Sequence, residues 1–296
     1  MAELNGIVIV NKEKGFTSHD AVNVIRRILG TRKVGHTGTL DPNAVGVLPI
    51  CVGRSTKLSD MLMFSDKEYI AEVKLGLTTD TYDIWGNVTS EKEVNVSEEM
   101  LKKAIDSFTG EIMQLPPMYS AIKQNGKKLY ELARSGIEVE RKERKITIYE
   151  CEIISFKKDT FTIRVKCSKG TYIRSLCHDI GEFLGCGACM TSLVRTQSSV
   201  FKIEDALTLS EIEEKVRENG ASSVLNPPDS VFECYDRITV TNIVKDRLLN
   251  GALSRVNENV GTYRAYAPDN TFIGIAEIFK GEKGNIIKII KSFADR

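Results

Sequence analysis

The chain has 296 residues, of which 42% are hydrophobic and 27% charged, so it is long enough to bury a core in one or two domains. Its net charge of +1 argues by itself against nucleic-acid binding, although the distribution of charge matters more than the sum. Seven cysteines without framework spacing, and no stretch typical of a signal peptide or a membrane span, exclude a secreted or membrane class and predict free thiols and a cytoplasmic location.

The N-terminal part predicts two strands and a helix around a polar turn. Residues 6–10 form a short apolar run that is typical of a buried strand. Thr17 or Ser18 can cap a helix that ends at Gly30. An apolar run over residues 47–52 predicts the second strand, and a short helix follows at 57–64.

The middle of the chain begins with a strand and continues into a basic segment. Tyr69, Ala71 and Val73 alternate with more polar positions, which predicts a half-buried strand. A loop at 78–87 and a helix from Ser97 to Gly110 follow. Residues 111–145 lack a clean period and predict a mobile excursion from the sheet. The stretch 117–145 carries a net charge of +4, as does 1–57, which favours a polyanionic substrate.

The C-terminal half predicts further strands and helices without a regular alternation. Strands are expected at 146–156 and 161–167, and helices before Gly185 and over 206–216. The stretch LNPPDS at 225–230 is the best linker signal, and a helix and three strands follow it. This order favours an α+β fold with a mainly antiparallel mixed sheet flanked by helices.

Standard cofactor and nucleophile motifs are missing from the sequence. There is no P-loop and no dinucleotide fingerprint, and three histidines are few for a metal site. Cys186 and Cys189 form a lone C-x-x-C, which is either redox-active, half of a zinc site or incidental. The adjacent Ser18, His19 and Asp20 are no evidence for a triad, which is assembled in space. We therefore expect no metal and no cofactor, and chemistry from a carboxylate.

Asp41 is the carboxylate in the most constrained setting. It precedes a proline and follows Gly35 and Gly38, so a stiff turn presents its side chain. An ionised carboxylate in a dry cleft can act as nucleophile or base if a cation holds it. The alternative is that Asp41 only caps the turn.

Four stretches, in order, resemble the TruB family of tRNA pseudouridine synthases. GHTGTLDP resembles the family's catalytic signature, and DKEYIAEVKLGLTTDTYDIWG resembles its K-x-Y strand and following loop. PPMYSAIKQNGKKLYELARSG resembles its insertion, and KGTYIRSL resembles a segment that follows. Together they span most of residues 6–200, which makes the resemblance specific.

The resemblance implies a cofactor-free isomerase that converts uridine to pseudouridine in the T arm of tRNA, at position 55. Asp41 matches the catalytic aspartate and Arg174 the arginine that pairs with it; without the motif, Arg174 would be a surface arginine. Tyr69 matches a tyrosine that stacks on the target uracil, the alternative being a core tyrosine. His36 matches an RNA contact beside the flipped base, the alternative being a turn hydrogen bond. Lys12 lies where the family has D-K-P-x-G, but here the sequence is NKEKG.

The resemblance also implies how the chain is organised and what it binds. A pseudouridine-synthase domain would span 1–230, with an RNA-gripping insertion at about 117–145, and a small PUA-like β-barrel would span 235–296, the alternative being a structural appendage. The expected partner is tRNA, bound without guide RNA by a monomer. The rivals are a guide-dependent synthase, a non-catalytic RNA-binding protein and a redox role for the two cysteines. The chemical path of Asp41, the strictness of specificity and a tRNA-folding role stay open.

Overall fold

The computed structural model describes residues 4–124 and 126–294. The strands are β1 (Gly6–Lys12), β2 (Val34–His36), β3 (Val45–Val52), β4 (Lys67–Leu75), β5 (Leu77–Thr79), β6 (Val88–Glu91), β7 (Gly110–Gln114), β8 (Lys123–Gln124), β9 (Lys127–Lys128), β10 (Arg144–Lys157), β11 (Thr160–Cys167), β12 (Ala188–Ser198), β13 (Phe201–Lys202), β14 (Asp236–Thr239), β15 (Ser254–Arg255), β16 (Gly261–Tyr266), β17 (Phe272–Gly281) and β18 (Gly284–Ser292). The helices are α1 (Ser18–Leu29), α2 (Ser59–Met63), α3 (Glu98–Ser107), α4 (Leu129–Arg134), α5 (Ile173–Phe183), α6 (Leu209–Asn219) and α7 (Asn242–Leu249). No helix within those two ranges has both the length and the apolar character needed to cross a membrane.

A nine-stranded sheet forms the centre of the molecule. Its strands follow the order β1-β3-β12-β4-β11-β10-β7, with β2 and β13 attached beside β3 and β12. Each neighbouring pair is antiparallel except β12 and β3, which run parallel. Apolar side chains of this sheet bury themselves against α1, α3 and α5, so that one continuous core lies between the sheet and these helices. The α+β class and the mainly antiparallel mixed sheet are confirmed.

Helix α1 begins and ends where its sequence signals predict. The Thr17 hydroxyl accepts a hydrogen bond from the Asp20 backbone N–H (3.1 Å), and the Asp20 carboxylate accepts one from the Thr17 N–H (2.9 Å), which is a complete capping box. Gly30 closes the helix in the left-handed region, with a φ of 61°. Ala21, Val22 and Ile25 face the core, so the helix is fixed against the sheet.

Three segments differ from the sequence-based expectation. Strand β12, an interior strand between β3 and β4, was not predicted, because its buried positions include Arg195 and Ser198 and its apolar positions show no clear alternation. The predicted loop at 78–87 begins within β5 and connects β5 to β6 in a short hairpin. Residues 110–114 pair with β10 in the main sheet, so the excursion from the sheet runs from 115 to 143.

The C-terminal part forms a second, five-stranded sheet in the order β14-β16-β17-β18-β15, with α7 beside it. Phe232, Ile275 and Phe293 pack in one buried cluster with Ile7 and Ile9 on the far side of the main sheet. This small barrel-like sheet therefore rests on the central sheet.

The segment predicted as a linker is anchored along the main sheet. The Asn226 backbone exchanges two hydrogen bonds with Ile7, of 2.8 and 2.9 Å. The proline and asparagine residues of this segment predicted a change of chain direction, but they did not indicate that the segment pairs with β1.

Candidate active site

The turn that carries Asp41 is fixed on both sides of that residue. The buried Ser18 hydroxyl accepts a hydrogen bond from the Leu40 N–H (2.8 Å) and donates one to the Leu40 carbonyl (3.2 Å). On the other side, the Pro42 carbonyl accepts hydrogen bonds from the Gly15 N–H (2.9 Å) and from the Lys12 ammonium (3.1 Å). The backbone before and after Asp41 therefore has little freedom, as the glycines and the proline predicted.

Arg174 lies in the first turn of α5 and forks onto the Asp41 carboxylate. Its Nε is 2.9 Å from Oδ2, and its Nη2 is 3.3 Å from Oδ1. The arginine side chain is only 5% exposed, whereas that of Asp41 is 41% exposed. The pair thus joins a buried guanidinium, through two parallel N–H donors, to a carboxylate that a ligand can reach.

Further contacts hold the Arg174 guanidinium in place. Nη1 donates to the Thr81 carbonyl (3.0 Å) and Nη2 to the Tyr119 carbonyl (2.8 Å). Nη1 also lies 3.7 Å from the carboxylate of Asp83. The loop after β5 and the start of the insertion therefore both support the arginine, and these contacts leave it no freedom to swing away from Asp41.

Asp83 lies in the TDTYD loop and was not predicted to be a site residue. Its side chain is 14% exposed, and burial raises its pKa, while the Thr81 hydroxyl and the Arg174 guanidinium oppose that rise. The Thr81 hydroxyl donates to Oδ1 (2.7 Å), as does the Trp85 N–H (3.2 Å). A second aspartate in the same motif as Asp80 was the only signal, and no local pattern indicated that it would contact Arg174.

Tyr69 and Arg195 are register partners on the neighbouring strands β4 and β12. Tyr69 is partly exposed, and burial raises the pKa of its phenol above the ordinary value of 10.0. Arg195 is 1% exposed, and its guanidinium donates to the carbonyls of Val47 (2.7 Å) and Gly38 (3.3 Å). The arginine thus supports the backbone of the turn that carries Asp41. An arginine in a polar stretch gives no sign in the sequence that it will be completely buried.

His36 ends β2 and precedes the Asp41 turn. Its Nδ1 accepts a hydrogen bond from the Gly38 N–H (3.3 Å), so the turn interaction considered from the sequence is present. Burial, with a smaller effect of the Arg195 charge, lowers the pKa of the imidazole. Because Nδ1 accepts the hydrogen bond from Gly38, Nε2 is the ring nitrogen left to donate to a ligand.

Lys12 is completely buried, and its ammonium donates to three backbone carbonyls. These belong to Glu13 (3.0 Å), Phe16 (2.7 Å) and Pro42 (3.1 Å). Burial lowers its pKa from 10.5 to about 8, although Asp41 acts in the opposite direction. Since an ammonium group has three N–H donors, these contacts use all of them. The geometry points to support of the turn.

The C-x-x-C cysteines lie in the core. Cys186 and Cys189 are 6% and 0% exposed and are not joined by a disulfide. Burial raises the pKa of the Cys189 thiol to about 11, which opposes thiolate formation. Across residues 4–124 and 126–294, no three His, Cys, Asp or Glu side chains are grouped so that they could hold a metal ion.

The excursion between β7 and β10 contacts the site near the start of the excursion. It contains the hairpin of β8 and β9 and helix α4. Its Tyr119 carbonyl binds Arg174, and Arg141 donates to the Pro116 carbonyl (3.0 Å). Its Lys123, Lys127 and Lys142 are exposed, and the half-buried Lys128 has its ammonium 5.3 Å from the Tyr130 ring centroid. The segment is therefore anchored beside the carboxylate and basic toward solvent.

Comparison with known proteins identifies the family. Residues 26–173 match the TruB family pseudouridylate synthase N-terminal domain, and residues 174–233 match the tRNA pseudouridylate synthase B C-terminal domain. Two similar proteins, both named tRNA pseudouridine synthase B, come from Alkaliphilus oremlandii and Francisella philomiragia. The first is 55% identical over 210 residues, covering 71% of this chain and 70% of the relative. The second is 45% identical over 282 residues, covering 94% and 93%.

Solved structures show the same fold. The Cbf5-Nop10-Gar1 crystal structure contains a chain that superposes with a TM-score of 0.73 at 26% identity, over 98% of this chain and 85% of that chain. An archaeal Nop10-Cbf5 complex of a box H/ACA sRNP gives a TM-score of 0.69 at 25% identity, over 98% and 86%. The predicted pseudouridine-synthase fold is therefore confirmed, and the chain belongs to the TruB family of pseudouridylate synthases.

Proposed function

We propose that this enzyme converts the uridine at position 55, in the T arm of tRNA, to pseudouridine, with Asp41 as the catalytic carboxylate. The observation that carries the proposal is the fork between the buried Arg174 and the half-exposed Asp41 on a turn fixed at both ends. Relatives that cover nearly the whole chain are named tRNA pseudouridine synthase B, which supports tRNA as the substrate.

The reaction needs only the substrate's own atoms. The C1′–N1 bond breaks and a C1′–C5 bond forms, while C5 loses a proton to solvent and N1 gains one. Asp41 serves this exchange as a nucleophile or as a base on the sugar. Arg174 holds its carboxylate in a fixed orientation. No redox step is involved.

Side chains around the pair suit a uridine removed from its stack. Tyr69 lies on the strand beside Arg195 and offers a ring on which the uracil can stack. The Nδ1 nitrogen of His36 accepts a hydrogen bond from the Gly38 N–H. The Nε2–H is therefore the group that would donate to RNA at the position vacated by the flipped base. We assign Lys12 to support of the turn.

Two regions would bind the rest of the tRNA. The insertion at about 117–145 supplies basic side chains for phosphate contacts, which give affinity without sequence information. The division into a synthase domain at 1–230 and a PUA-like domain at 235–296 is part of this proposal. Because the insertion lets the enzyme grip its own substrate, we expect action without guide RNA, as a monomer in the cytoplasm.

The test is release of tritium from a T-arm stem–loop RNA labelled at C5 of uridine, without added metal or nucleotide. We expect release by the unmodified enzyme and none by Asp41→Asn. The exposed Asp205→Asn is the matched control and should release tritium at the normal rate. Binding of the RNA without release would refute the proposal and favour a guide-dependent or purely binding role.

A further inference from the structure

Trp85, the only tryptophan in the sequence, lies on the rim of the site and is 43% exposed. Its loop is rigid, because the Asn87 N–H and side chain both donate to the Asp80 carboxylate (2.8 and 3.0 Å). A Cβ on Gly86 would lie 2.3 Å from the Thr81 hydroxyl, so the loop backbone is closely packed at this position. The large ring is therefore held partly in solvent by a fixed backbone.

This loop is continuous with the catalytic pair. The Trp85 N–H donates to one oxygen of Asp83, and the other oxygen lies 3.7 Å from Arg174. The Ile84 N–H also donates to the Met190 carbonyl on β12 (2.9 Å). Trp85 thus stands two residues from a group that contacts the arginine paired with Asp41.

Lys14 approaches Trp85 from the other loop that flanks Asp41. Its ammonium lies 5.1 Å from the ring centroid, and it follows the turn-supporting Lys12 by two residues. In the part of the chain that the structure describes, no carboxylate lies within 4.0 Å of the Lys14 ammonium. Lys288 is a useful contrast: it lies 5.1 Å from the Phe279 ring, but Glu277 neutralises it at 2.8 Å.

An exposed aromatic ring and an ammonium group without a neighbouring carboxylate are complementary to a ligand that has a planar ring and a negative charge. Nucleobases stack on aromatic side chains, and phosphates bind ammonium groups. We propose that Lys14 and Trp85 form a second RNA contact beside Asp41, which takes an unpaired nucleotide next to the modified uridine, its base against Trp85 and its phosphate against Lys14. This assignment rests on the proposed function.

Because Trp85 is the only tryptophan, fluorescence reports this site directly. The Asp41→Asn enzyme, which should bind without turnover, is titrated with T-arm stem–loop RNA while tryptophan emission is followed. Stacking predicts that emission falls at saturation with the stem–loop but not with a plain duplex of equal length.

Variants separate stacking from charge. Trp85→Ala should weaken binding of labelled RNA about tenfold, whereas Trp85→Phe retains most of the affinity. Lys14→Met should lower the log–log dependence of affinity on salt by about 0.7–0.9, the effect of one phosphate contact. Lys74→Met removes an equal charge that is paired with Asp159, near the other end of β4 from Tyr69, and should leave the slope unchanged.

The outcomes distinguish this inference from the proposed function. Tritium release by the unmodified enzyme, together with unchanged emission at saturation and Trp85→Ala affinity within twofold, overturns the second contact alone. Binding with an emission change but without tritium release overturns the proposed function and leaves the contact in place. RNA that does not bind at all overturns both.

Discussion

Removal of the Ser18 hydroxyl should both lower the stability of the fold and displace Asp41, and a control variant can distinguish the two effects. Ser18 is 2% exposed and holds both the N–H and the carbonyl of Leu40, at 2.8 and 3.2 Å. A buried polar group left without its partner costs about 1–3 kcal/mol, so Ser18→Ala should lower the free energy of unfolding by about 2–4 kcal/mol. The freed turn should also displace Asp41, and an error of about 1 Å costs about a hundredfold in rate.

The neighbouring residue supplies a matched control. Thr17 caps the same helix from its exposed side, and its loss should cost about 1 kcal/mol of stability without touching the Leu40 backbone. We therefore expect kcat for tritium release to fall about a hundredfold in Ser18→Ala, with RNA affinity within twofold, and to stay normal in Thr17→Ala. Urea unfolding measures stability in both. A Ser18→Ala enzyme that is destabilised but keeps kcat within threefold would refute the reasoning.

Arg174→Lys keeps the charge but not the fork, and should lower kcat/KM for tritium release about a hundredfold or more; an unchanged value would show that the fork has no part in catalysis. The lowered pKa of Lys12 makes stability depend on pH. The folded enzyme loses this proton near pH 8 and the unfolded chain near pH 10.5, so the free energy of unfolding should rise by up to about 3 kcal/mol across that interval. Urea titrations of Lys12→Met should lack this rise. Replacing Cys186 and Cys189 together by serine should leave tritium release within about twofold, and alkylation should reach the exposed Cys234 first, as peptide mapping would show; loss of activity would revive the redox interpretation.

Local signals predicted much of the fold, because they act within one element. Thr17 and Gly30 marked the ends of α1, and the alternation at Tyr69, Ala71 and Val73 predicted β4 and the face that it buries. The arrangement of strands depends instead on pairs far apart in the chain. Arg195 pairs with Tyr69, which lies 126 residues earlier in the chain, and no local pattern encodes this pairing.

The site residues likewise divide into those that a local pattern predicts and those that depend on the tertiary fold. Asp41 could be singled out from the sequence because its constraint is local: a proline after it and glycines before it. Arg174 was found only through the family resemblance, since its partners lie on other elements. The complete burial of Arg195 could not be predicted, because burial of a charged side chain depends on carbonyls that the tertiary fold brings to it.

The place of β12 in the sheet sets the order in which a growing chain can become an enzyme. During synthesis, β3 and β4 leave the ribosome more than a hundred residues before β12, the strand that must enter between them. Until then their facing edges have no partner, and early pairing of those edges with each other would be a kinetic trap. Catalytic competence therefore arrives as one late event, when the segment at 188–198 inserts, and chains released before that point carry Asp41 without an assembled site.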